Sequence, residues 1–170
     1  LGDVYKRQYV SRLKSLIHLL LIMCFSNIFE VIIMAVSNMR ATLLYPIEVV
    51  WDTVTNLNDF SWRSDLNDVR IIDENNFIEI TKNGVETYFR ITECIKYQSW
   101  IFEIENKNIK GTWVGKFYVE DDKTILDFTE NVVSKKLIFK PFISLYLKRQ
   151  QRIYFKDLKV KLNCKEASFI

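Results

Sequence analysis

Lys135–Lys165 reads KKLIFKPFISLYLKRQQRIYFKDLKVKLNCK. Leu137, Ile138, Phe139, Phe142, Ile143, Tyr146, Leu147, Ile153, Tyr154 and Leu158 recur at helical spacing and give one broad apolar face. Lys148, Arg149, Arg152, Lys156, Lys159 and Lys161 fall mostly off that face. Pro141 stands near the start, where a missing N–H is tolerated, and no glycine interrupts the run. The spacing predicts one long amphipathic helix. A face this broad needs a large apolar partner, and the residues before it offer a sheet.

Upstream of the helix the pattern is mostly that of strands. Ala35–Tyr45 reads as a first strand, and Pro46 then opens a helix over Pro46–Asn56 with Ile47, Val50, Trp51 and Val54 on one side. Asp59–Leu66 reads as a second short helix or a turn. Val69–Ile72 and Phe77–Thr81 read as strands, Asn83-Gly84 as a two-residue hairpin turn, and Glu86–Ile95 as the next strand. Trp100, Phe102 and Ile104 alternate with wetter neighbours, as do Trp113, Phe117 and Val119 within Gly111–Glu120. Asp121-Asp122-Lys123 turns the chain into a last strand, Thr124–Val133. Successive hairpins make the sheet antiparallel, and the segregated helices make the class α+β.

These segments resemble the START/Bet v 1-like superfamily, also called SRPBCC or the polyketide cyclase/dehydrase and lipid-transport group. The residues that carry the resemblance are TLLYPIEVVWDTVTNLNDFSWRSDL (Thr42–Leu66), GTWVGKF (Gly111–Phe117), LDFTENV (Leu126–Val132) and KPFISLYLKRQQRIYFKDLK (Lys140–Lys159). It is most similar to small bacterial members. The resemblance implies the helix-grip fold over residues 34–170: a curved antiparallel sheet around a long C-terminal helix, with two short helices after the first strand. It also implies a cavity for an apolar ligand between sheet and helix. Such motifs identify a fold far better than a substrate.

Residues 1–33 form a separate segment. The opening LGDVYKRQ resembles translated adaptor sequence, and Glu30-Val31 ahead of Met34 can be encoded as a ribosome-binding site. The expectation is that Tyr9–Ile33 is upstream DNA read as protein, with Met34 or Met39 the true start. The competing reading is a signal or anchor segment, for which Arg12 and Lys14 precede the apolar run Leu16–Phe25.

Composition narrows the chemistry. Of 170 residues, the only histidine is His18, so residues 34–170 have none, which removes Ser-His-Asp and Cys-His catalysis and histidine metal sites. No glycine-rich phosphate loop is present, and no cofactor or metal is expected. Cys24, Cys94 and Cys164 are odd in number and far apart, which fits a reduced, cytoplasmic compartment. From Lys135 onward ten Lys/Arg stand against two Asp/Glu, whereas residues 34–134 carry ten against seventeen. The basic helix is either a solvated face drawn to an acidic body or a surface for anionic lipid; the acidic body argues against nucleic acid. A monomer is expected.

Twelve Phe, eight Tyr and four Trp supply either a large aromatic core or the walls of a cavity. The candidate ligand-binding aromatics are Trp100, Phe102, Trp113, Phe117 and Phe128, with Trp62 closing one end beside Arg63. Polar candidates are Tyr88 and Arg90 on one strand face, Glu130 two residues after Phe128, and Tyr146, Gln150 and Tyr154 on the helix. These polar groups either satisfy one another or orient a mostly apolar ligand, a small hydrophobic molecule or lipid. Glu130 would pair with Arg90, or would serve as the acid/base of a cyclase/dehydratase-type enzyme. A third alternative is a protein-interaction module. Non-catalytic ligand carriage is the expected function.

Overall fold

The computed structural model describes residues 12–22, 34–135 and 140–163. The chain divides into two units, residues 1–34 and 35–170. In the first unit residues 12–22 form a helix, α1. No helix among the described residues is long and apolar enough to cross a membrane. The remainder of the leader reading, on residues 1–11 and 23–33, lies outside the described residues.

The second unit runs β1 (Met34–Leu43), α2 (Ile47–Thr55), β2 (Leu66–Ile71), β3 (Asn76–Thr81), β4 (Glu86–Ile95), β5 (Ser99–Glu105), β6 (Ile109–Glu120), β7 (Lys123–Ser134) and α3 (Lys140–Lys161). The seven strands form one sheet in the order β1-β7-β6-β5-β4-β3-β2. The first strand therefore lies beside the last, and the excursion through α2 carries the chain from one sheet edge to the other. β2 to β7 pair antiparallel with their sequence neighbours. The class is α+β and the architecture is the expected one, a curved antiparallel sheet around α3.

Local chemistry sets the turns. Gly84 sits at φ +72, a conformation that costs glycine nothing. Asp121 and Asp122 both take left-handed values, φ 48 and 59, the geometry of a tight hairpin between β6 and β7. Of the two short helices expected after β1, one forms. Val50, Trp51 and Val54 are its buried side, and Trp51 meets Phe117 edge-on at 4.8 Å. The second, Asp59–Leu66, is a run of turns instead. Arg63 N–H donates to the Phe60 carbonyl and Leu66 N–H to that of Arg63, both three residues back. Asn, Asp and Ser compete for backbone partners here: the Asn58 and Ser64 N–H groups donate to the Asn56 and Asp157 side chains.

The stripe that α3 buries coincides only in part with the apolar face its sequence implies: Ile143, Leu147 and Leu158 belong to both. Ile143, Leu147, Gln151, Phe155, Leu158 and Leu162 form the buried stripe. Phe142, expected on the apolar face, is 66% exposed, and Tyr146 is 52% exposed. Leu137, Ile138 and Phe139 lie outside the described residues. The correction has a simple cause. Apolar residues cover more than half the helix circumference, so their spacing leaves the rotation free, and the sheet selects one stripe. A buried pair pins the choice: Ser37 Oγ donates to Gln151 Oε1 at 2.7 Å, and Gln151 Nε2 donates to the Ser37 carbonyl at 3.2 Å. Asn163, at φ 54, closes the helix in a left-handed C-cap. On the basic side, Lys161 pairs with Asp59 at 2.7 Å.

Candidate functional site

Inward-facing residues alternate along each strand. One cross-sheet row runs Phe102–Trp113–Glu130, because β5 pairs Phe102 with Trp113 and β6 pairs Trp113 with Glu130. Phe102 and Trp113 stack at 4.6 Å, Trp113 tilts onto Phe128 at 4.6 Å, and Phe128 stacks on Phe155 of α3 at 5.0 Å. Toward α2 the inner face is filled by bulky rings: Trp51, Tyr97, Trp100 and Phe117. Toward the β3–β4 hairpin the inward residues are smaller: Thr81, Thr87, Ile104 and Gly111. The sheet there cannot reach α3, and a cavity of about 460 Å³ is left between them. Protein cores rarely tolerate a void of this size without a use for it.

Polar groups enter the cavity at defined points. Arg63 grips Asp65 through two hydrogen bonds, 2.9 and 2.8 Å, and Glu79 through a third at 3.2 Å. All three side chains are only 14–18% exposed. Arg63 also lies over the Tyr154 ring at 4.7 Å, and Trp62 packs edge-on to that ring at 5.2 Å. The two carboxylates respond in opposite directions. Burial pushes Glu79 up more than Arg63 pulls it down, so its carboxyl titrates above the usual range. Burial acts on Asp65 too, but the hydrogen bonds and charge of Arg63 outweigh it and hold that carboxyl below the usual range.

Glu130 has no hydrogen bond or ion pair to any described residue. Burial, and secondarily the Glu79 charge, push its carboxyl up to about 7. The folded protein therefore holds a proton here that the unfolded chain releases near 4.5. The contribution of Glu130 to stability should be fullest below about 4.5, fall as pH rises towards about 7, and level off beyond. Glu130→Gln should flatten most of that slope, leaving the smaller part due to Glu79. Urea unfolding of both proteins at intervals from pH 4.5 to 8 checks this; an unchanged slope in the variant would contradict the placement of Glu130.

The cavity gathers seven of the twelve candidates: Phe102, Trp113, Phe128, Glu130, Tyr146, Gln150 and Tyr154. Trp62 is not itself a lining residue but packs against two that are, Tyr154 and Arg63. Trp100 and Phe117 face inward but belong to the packed end. Tyr88 and Arg90 share a face as expected, but it is the outer one, and Tyr88 is 52% exposed. The expected Arg90–Glu130 pair does not form. Arg90 instead meets Glu103 at 2.6 Å across the outer side of β4 and β5. The reason is parity: 88 and 90 alternate with the inward Thr87 and Phe89.

Several lining residues had escaped the sequence reading. Glu79 follows Phe77 at strand spacing, so alternation alone could have found it. Asp65 sits in the irregular stretch after Arg63, where no period exists to read. Gly115 offers no cavity-filling position, because a side chain there would meet the Trp113 ring at 2.5 Å.

No family model and no curated protein matches the chain. Solved structures do. A START superfamily protein from Mycobacterium smegmatis aligns with TM-score 0.66 and 10% identity, over 76% of this chain and 97% of its own. The Zhui aromatase/cyclase of Streptomyces sp. R1128 gives 0.67 and 10%, over 75% and 93%. An HSP90 activator from Plasmodium falciparum gives 0.63 and 13%, over 79% and 99%. Identities this low speak to fold alone. Element order, sheet topology, the gripped α3 and these alignments together give the chain the START/Bet v 1-like helix-grip fold.

Proposed function

We propose that this chain binds a small, mainly apolar molecule in the cavity between the inner sheet face and α3. The observation that carries the reading is the cavity itself: about 460 Å³, walled by Phe102, Trp113, Phe128 and Leu147, with a handful of polar groups at fixed points. That volume lies within the usual range for small-molecule sites. Apolar burial at roughly 25 cal/mol per Å² would supply most of the affinity, and the polar groups would orient the ligand. The reading includes a cytoplasmic monomer that engages no nucleic acid. The acidic excess of residues 34–134 and the exposed free thiol of Cys94 support it.

The test is a titration with N-phenyl-1-naphthylamine, a neutral fluorescent probe, against wild type and Thr87→Phe. Thr87 lines the cavity on a strand, so the larger ring enters the void without breaking the backbone pattern. Wild type should bind the probe, and the filled variant should lose it while unfolding at a similar temperature. Absence of binding to folded wild type would remove the reading.

A second reading, an acid/base enzyme of the cyclase/dehydratase type, has one specific observation in its favour. A carboxyl titrating near neutrality inside an apolar cavity can both give and accept a proton at working pH. It requires turnover that Glu130→Gln abolishes without loss of substrate affinity.

A further inference from the structure

The polar groups of the cavity are unevenly matched. Four charged side chains line it: Arg63, Asp65, Glu79 and Glu130. The one cation is spent, since Arg63 directs three hydrogen bonds to Asp65 and Glu79. Glu130 is left with no counter-ion among the described residues. A second acceptor is also unanswered. Asn108 Oδ1, in the turn between β5 and β6, is the one buried side-chain polar atom among the described residues without a hydrogen-bond partner, and Asn108 lines the same cavity. Glu130 lacks a cation, and Asn108 Oδ1 lacks a donor. The surfaces around Glu130 are aromatic: Trp113 is its register partner on β6, Phe128 stands two residues before it on the same face, and Tyr146 of α3 feels its charge. Ring faces attract cations, and a carboxylate beside them completes the pattern by which ammonium groups are recognised.

We propose that the cavity is selective for a cationic amphiphile, a protonated amine or quaternary ammonium on an apolar body, with Glu130 as its counter-ion. The proposal rests on the cavity-binding reading above and names its ligand class. The apolar body would lie along Phe102, Ile104 and Leu147, and the head would sit among Glu130, Trp113 and Tyr146. An anionic amphiphile would bring a further negative charge into a cavity where one cation already stands against three carboxylates, so fatty acids should be poor ligands.

The test uses the full chain and a set of ligands with one tail and four heads: dodecyltrimethylammonium, dodecylamine, dodecanol and dodecanoate, each below its micelle concentration. Their displacement of N-phenyl-1-naphthylamine is measured at about pH 8, where Glu130 is ionised. Either ammonium compound should displace the probe at about tenfold lower concentration than dodecanol, and dodecanoate should be weakest. Glu130→Gln, nearly the same in shape, should still bind the probe and dodecanol but lose the preference for the cations. Equal or tighter binding of dodecanol or dodecanoate to wild type overturns the inference while leaving the cavity reading intact. Survival of the cation preference in Glu130→Gln overturns the role of Glu130. Failure of the neutral probe and of all four tails overturns both readings together.

Discussion

Phe155→Ala is expected to cost about 3–5 kcal/mol of stability, and Phe142→Ala under about 1 kcal/mol. Both are phenylalanines on α3, thirteen positions apart, and both belong to the apolar pattern of the helix or its immediate neighbours. Phe155 is 0% exposed, stacks on Phe128 at 5.0 Å, and lies between Gln151 and Leu158 in the stripe that meets the sheet. Truncating it leaves a hole that the stacked rings cannot close, since Phe128 is itself held by Trp113, Phe117 and Tyr154. Phe142 is mostly in solvent and contributes one edge of the cavity lining. Thermal or urea unfolding of the two variants decides the matter. In a domain of this size the first should melt on the order of 10 °C lower, and the second close to wild type. Equal shifts would show that the helix is rotated about its axis from the orientation described. Lys156→Asp, next to Phe155 but exposed, should cost far less than Phe155→Ala.

Arg63→Met should be the other severe substitution, costing about 2–4 kcal/mol at neutral pH. Removing one partner of a buried ion pair usually costs more, but these side chains keep 14–18% of their surface in water, which screens part of the loss. Two enclosed carboxylates would then face each other without a cation. The effect carries a pH signature. In wild type the low titration of Asp65 stabilises the fold above the usual carboxylate range, and that stability is lost as pH falls into it. Without Arg63, burial would raise both Asp65 and Glu79, so they would take up protons and the variant would recover toward wild type near pH 5. Urea unfolding at about pH 5 and pH 8 should therefore give a smaller difference at the lower value. Arg63→Lys should restore only part of the loss, because an ammonium cannot reproduce the forked contact with Asp65. If Arg63→Met is as stable as wild type at both pH values, the three-residue cluster is not a buried ion pair.

Both predictions depend on side-chain placements that differ in how far the sequence reveals them. Alternation along β5, β6 and β7 assigned Phe102, Trp113, Phe128 and Glu130 to the inner face correctly, because a strand has only two faces and a hydrophobic majority marks the buried one. The same rule, applied to β4 with its parity fixed, would have put Arg90 outside. Arg90 shares the outer face with Tyr88, so parity alone separates it from Glu130. Turn residues were equally legible: Gly84 and the Asp121-Asp122 pair take the left-handed backbone that such residues tolerate. In each case the information is local, carried within a few residues of the chain.

The amino-acid sequence by itself thus settled the α+β class, the order of the strands, the hairpin turns and the long C-terminal helix. It settled too that residues 34–170 contain no histidine for catalysis or metal binding. The rotation of α3 was beyond it, since apolar residues cover more than half the circumference of that helix and contact with β1 through Ser37 and Gln151, and with Phe128 through Phe155, singles out one stripe. The ion-pair cluster was beyond it as well, because Arg63 and Asp65 sit in aperiodic turns and come beside Glu79 only through the pairing of β2 with β3. So was the isolation of Glu130. Whether a carboxylate has a counter-ion depends on where every distant cation points, and here the tertiary structure turns Arg90 outward, spends Arg63 on two other acids, and leaves Glu130 with no counter-ion among the described residues, in a cavity walled largely by aromatic rings.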